Sequence, residues 1–133
     1  MAETATQTRP PIHMIDSEAD ALAALAIAAR DRVRQVSDLL LAEIDRAIIH
    51  RPGEIPPDAI TMNARVEFSD EASGGGARTV QLVYPGQADI ALDRISILTP
   101  VGAGLIGLRQ GQSILWPDRE GRERRLTIVR VSA

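Results

Sequence analysis

The feature that most constrains this chain is a change of hydrophobic period across residues 52–60. Before Pro52-Gly53, apolar side chains recur at steps of three and four residues; beyond Pro56-Pro57 they alternate with polar ones. A period near 3.6 buries one stripe of a helix, and a period of two buries one face of a strand. The chain is therefore helical first and a sheet afterwards, which is an α+β organisation.

Within the first part, Leu22, Leu25, Ala26 and Ala29 mark one short helix. Asp16 or Ser17 caps it, Ser17 with Asp20 resembles a capping box, and Asp16, Glu18 and Asp20 suit the positive end of the helix dipole. Arg30-Asp31-Arg32 interrupts the pattern. Val33, Val36, Leu40, Ile44 and Ala47 then define a second helix, with Arg46, His50 and Arg51 near its end and Pro52-Gly53 as the stop. So short a joint predicts an antiparallel pair, each arm reaching about 20 to 25 Å. The expected boundaries are a flexible leader over 1–15, extended around Ile12 to Ile15; a short coiled-coil hairpin over 16–51; a linker over 52–60; and a β domain over 61–133.

In the β domain, Arg65 to Phe68 and Arg78 to Tyr84 alternate around a glycine-rich turn at Ser69 to Gly76. Arg94 to Leu98, Ser113 to Trp116 and Arg124 to Val131 are further strands. Thr99 as cap and Pro100 as first residue open one short apolar helix between them, running from Val101 toward Leu108.

Composition removes whole classes of chemistry. The sequence has no cysteine and no lysine, so thiol nucleophiles, disulfides, Cys-based metal sites, Schiff-base lysines and the Walker-A lysine are excluded. Phe68, Tyr84 and Trp116 are its only aromatic side chains, too few to wall a pocket for a flat ligand. Residues 1–60 hold 6 Arg against 10 Asp and Glu, and residues 61–133 hold 9 against 8, which is not the dense basic face of a general nucleic-acid binder. No apolar run of about 18 residues occurs, and Met1 to Pro11 lacks the pattern of a targeting peptide, so a cytoplasmic location is expected. His13 and His50 are far apart in sequence, with no ligand spacing around them. No cofactor, metal, membrane or small-molecule substrate is expected.

Several segments together carry a family resemblance: Thr61 to Val66, Leu82-Val83-Tyr84-Pro85, Asp89-Ile90-Ala91 with Arg94-Ile95-Ser96, Thr99 to Leu108, and Gly111 to Ile114 with Trp116. They cover most of residues 60–117 in order. The chain resembles the small bacterial Rnk branch, called regulators of nucleoside diphosphate kinase, of the GreA/GreB-like elongation-factor superfamily. The resemblance implies a stubby helical hairpin joined to an FKBP-like antiparallel β domain with one short crossing helix. It also implies a partner, RNA polymerase core at the rim of its secondary channel, and an anchor at the turn after the Ile-Ser strand. Here that anchor is Leu98, Thr99, Pro100 and Val101.

Two departures from cleavage factors matter. Leu98 stands where those factors often carry an Asp, and it supplies neither charge nor hydrogen bonds. The hairpin tip reads Arg30, Asp31, Arg32 and Arg34 rather than an acidic pair, and magnesium needs oxygen ligands without adjacent positive charge. The expectation is a non-enzymatic regulator that competes with Gre-type factors without stimulating cleavage. Arg119, Arg122, Arg124 and Arg125 form a basic hairpin that either contacts acidic partners or phosphate, or serves solubility, diluted by Glu120 and Glu123. Nucleic-acid contact, DNA included, would be weak or indirect. Thr61 and Asn63 suit local backbone bonding. The alternatives are regulation of nucleoside diphosphate kinase, by contact or through expression, and a peptidyl-prolyl isomerase-like module, which the shortage of aromatic side chains disfavours.

Overall fold

A computed structural model describes residues 9–71 and 74–132. Most of the expected leader, Ala72-Ser73 of the glycine-rich turn, and Ala133 lie outside the described residues. Strand β1 (His13–Ile15) runs directly into α1 (Asp16–Ala29), and a short turn leads to α2 (Arg34–Arg46). Strand β2 (Ile48–His50) then pairs in parallel with β1, Met14 opposite Ile49. After the proline-rich segment come β3 (Arg65–Asp70), β4 (Ala77–Val83), β5 (Arg94–Ser96), α3 (Pro100–Leu105), β6 (Ser113–Pro117) and β7 (Glu123–Ser132). The five later strands form one curled sheet in the order β5-β4-β3-β7-β6. Since β5 and β6 are its opposite edges, the segment carrying α3 must cross the sheet.

Three sequence expectations need correction. The β-region sheet is not wholly antiparallel, because β5 pairs in parallel with β4. The connection between them makes two single 3₁₀ turns, at Pro85–Gln87 and Ile90–Leu92, and so returns the chain in the direction it left. The second helix stops at Arg46 rather than near Arg51, because β-branched Ile48 and Ile49 extend and pair with β1. No capping box forms on α1: Ile15 is its N-cap and makes no side-chain cap bond, since the chain enters directly from a strand. Glu18 turns elsewhere, its carboxylate accepting from the Met62 N–H at 3.1 Å.

One hydrophobic cluster serves both helices and the sheet. Ile12 and Met14 of the entering segment, Leu22 and Ala26 of α1, and Val36 and Leu40 of α2 belong to the same buried set as Ile60, Phe68, Leu82, Leu105 and Leu126. The "linker" is part of this core at its far end. Ile60 is fully buried, its N–H donates to the Leu108 carbonyl at 2.8 Å, and its carbonyl accepts from Gly107. The segment before β1 is tied down as well. Arg46 donates to the Pro10 carbonyl at 2.7 Å while making a two-point pair with the buried Glu43, and the Arg9 guanidinium lies 4.8 Å from the centroid of the Trp116 ring. Such a stacked cation adds about 0.5–1 kcal/mol at an exposed site.

Helix α3 comes close to the sheet because it is built from small residues. A Cβ on Gly104 would lie 2.8–2.9 Å from the Trp116 ring, and one on Gly102 would collide with the Ser96 carbonyl. Gly104→Ala is therefore expected to destabilise by about 1–3 kcal/mol, although alanine favours helices intrinsically. Gly86→Ala, with open space around its Cβ, is the control and should leave the urea midpoint unchanged.

Glu18 gives a pH signature. Burial pushes its carboxyl pKa upward, and the bond from Met62 offsets this only partly. The native state then holds the proton more tightly than the unfolded chain, so the Glu18 contribution declines as pH rises through that raised value. Glu18→Gln is expected to unfold at higher urea than the parent, by a margin that widens between about pH 4 and about pH 7. An unchanging margin would count against the burial account.

Candidate interaction face

The turn that follows β5 is locked by its own polar groups. The Leu98 N–H donates to Ser96 Oγ at 2.9 Å, and the Thr99 hydroxyl donates to the Ser96 carbonyl at 2.7 Å. The same hydroxyl accepts from the Gly102 N–H at 3.1 Å, so Thr99 is the cap that the sequence indicates. Pro100 is buried, and its carbonyl accepts the Trp116 indole N–H at 2.6 Å. The side chains of Leu98 and Val101 beside these bonds are half-buried.

Beside this turn lies a groove of about 620 Å³. Thr99, Pro100 and Val101 form one side, joined by Ser96 and Ile95 of β5; Arg119 and Arg124 come from the β6–β7 hairpin; and Arg78, Arg94 and Ile90 complete it, with Asp118 and Glu120 at the hairpin end. Two residue groups far apart in sequence thus share one surface. The structure does not bring in all of them: Leu98, Arg122 and Arg125 lie outside the groove lining. Arg124 is partly committed elsewhere, pairing with the nearly buried Asp70 at 3.1 Å.

Sequence reasoning missed Arg78, Arg94 and Ile90. Each comes from a segment read as ordinary strand or loop, and only the β5-β4 edge pairing collects them. Ile90 carried no signal, since Ala88, Ala91 and Leu92 around it are equally apolar. It is 90% exposed.

The expected hairpin tip, Arg30, Asp31 and Arg32, is exposed, and Arg30 pairs with Asp38 at 3.0 Å. The interhelical turn does not stand apart from the sheet. Gln35, in the first turn of α2, donates to the Asp118 carbonyl at 2.9 Å, which puts this end of the helices beside the basic β6–β7 turn. His13 and His50, separated in sequence, meet across the β1–β2 pair with Nδ1 and Nε2 2.9 Å apart.

With this geometry established, comparison with known proteins defines the class. Residues 55–133, more than half of the chain, match the family described as transcription elongation factor GreA/GreB, C-terminal. The chain belongs to that family. It is 39% identical over 109 residues, 82% of this chain and 79% of the other, to the regulator of nucleoside diphosphate kinase from Escherichia coli strain K12. It is 30% identical over 90 residues to transcription elongation factor GreA of Acidiphilium cryptum, covering 68% of this chain and 54% of that one. A solved prokaryotic transcription elongation factor GreA/GreB from Nitrosomonas europaea superposes with a TM-score of 0.72 at 38% identity, over 92% of this chain and 99% of that chain.

Proposed function

We propose that this protein is a non-catalytic transcription regulator that binds RNA polymerase core near the rim of the secondary channel. It competes there with Gre-type factors without stimulating transcript cleavage. The observation that carries the reading is the groove that joins Thr99–Val101 to the basic hairpin. Four arginines against two carboxylates, over apolar Ile90, Ile95 and Val101, suit an acidic and partly apolar protein surface, because guanidinium groups take carboxylates in two-point geometry. The expected fold name, FKBP-like, and the antiparallel helical hairpin belong to this reading, as do the domain boundaries at residues 16–51 and 61–133. The absence of cleavage rests on the tip, where Arg30 and Arg32 flank Asp31 and oppose magnesium binding.

A second reading, regulation of nucleoside diphosphate kinase, is favoured by the 39% identity to a protein of that name. An isomerase-like role is disfavoured, since no aromatic side chain lines the groove. The deciding assay uses backtracked transcription complexes with a Gre-type factor. Added protein should suppress factor-stimulated cleavage with dose and induce none alone, while the double variant Arg94→Glu with Arg119→Glu should need about tenfold more, the equivalent of about 1.4 kcal/mol. Undiminished cleavage at saturating protein would overturn the reading. Direct binding to purified nucleoside diphosphate kinase would transfer support to the second.

A further inference from the structure

We propose that His13 and His50 form a proton-sensitive clasp that fastens β2 onto β1 at neutral pH and releases it on acidification. The geometry is that of one imidazole N–H directed at the other ring's lone pair. Nδ1 of His13 and Nε2 of His50 are 2.9 Å apart while the ring centroids are 5.1 Å apart, so the two nitrogens lie close to the line joining the rings. In that arrangement the lone pairs face one another and do not converge on a third point, which favours a shared proton over a chelated metal.

Proton counting gives the switch. Two neutral rings make the bond, and one neutral ring with one imidazolium also makes it. Two imidazolium ions place N–H against N–H and cation against cation, and the bond is lost. The charged groups facing the pair do not relieve this. Arg109 and Asp58 come from the loops packed beside β1, and they are paired with each other at 2.8 Å, so the carboxylate is already engaged by a cation. Burial, His50 and Arg109 all hold the His13 pKa below its ordinary value, with Asp58 opposing them. The native state therefore binds fewer protons than the unfolded chain over a window beginning near pH 6.5 and extending below it, and stability is lost as pH falls through that window.

The strand that lets go is β2. Among the described residues β2 pairs with β1 alone, the Ile48 N–H donating to the Ile12 carbonyl at 2.8 Å. Strand β1 has a second anchorage, because the His13 N–H donates to the Gly107 carbonyl at 3.0 Å and Ile12 is fully buried. Ile48 and Ile49 are each about half exposed, so little apolar burial opposes departure. Since β1 precedes α1 and β2 follows α2, opening the ribbon unties the base of the helical pair while the five-stranded sheet stays intact.

Amide exchange on the full chain at about pH 7.5 and about pH 5, corrected for the intrinsic pH dependence of exchange, tests this. The protection of the Ile48 amide should fall about tenfold, while that of the His13 amide is retained. In His50→Gln, whose amide can still donate to His13 but cannot be protonated, the fall should shrink to about threefold or less. An Ile48 amide insensitive to pH, or equally sensitive in parent and variant, overturns the clasp. A ring titration by NMR checks the parent alone, independently of how the variant folds. A His13 step clearly below the ordinary histidine value is expected, and a His13 step at about 6.5 would refute the shared proton.

Discussion

The indole of Trp116 organises the face that carries the groove. Its N–H closes on the Pro100 carbonyl, its ring fills the space that Gly104 leaves open, and Arg9 stacks on the ring. One side chain of β6 thereby fixes the height of α3 above the sheet and the direction in which the chain turns out of β5. A neutral hydrogen bond of this kind contributes only about 1 kcal/mol net, yet orphaning the buried carbonyl would cost about 1–3 kcal/mol. Thr99 to Val101 line the groove with Pro100 held against Trp116 by this bond.

A second constraint is the shared core. The helical pair lies against the domain that carries the groove, with Leu22, Val36 and Leu40 in the same cluster as Ile60 and Leu105. Gln35 ties the start of α2 to the β6–β7 turn. This arrangement packs the helical pair onto the sheet instead of letting it project from it. It also explains why the joint between helices and sheet resembled a linker: Pro56 and Pro57 break periodicity, but Ala59 and Ile60 immediately re-enter the core.

Much of this was legible in the sequence. Helical spacing placed α1 and the body of α2, alternation located five strands, and Thr99-Pro100 marked the start of α3, because these features are local and each residue type has one dominant physical reason for its place. What escaped was non-local. The parallel β4–β5 pairing depends on how Pro85 to Leu92 turns, and no periodicity encodes that. The end of α2 was misplaced because Ile48 and Ile49 satisfy a helical pattern as readily as a strand until β1 is available as a partner. The groove drew Arg78, Arg94 and Ile90 from three separate segments, and the meeting of His13 with His50 came from the same parallel ribbon that shortened the helix.

The groove is the surface proposed to meet polymerase. Replacing Ile90, exposed and part of the groove lining, with a photoreactive amino acid, and separately replacing the exposed Ile27 of α1, tests this by crosslinking to core polymerase. The Ile90 probe is expected to crosslink to a core subunit, and a Gre-type factor is expected to abolish the crosslink. A crosslink from Ile27 with none from Ile90, or one from Ile90 that a Gre-type factor leaves untouched, would contradict it.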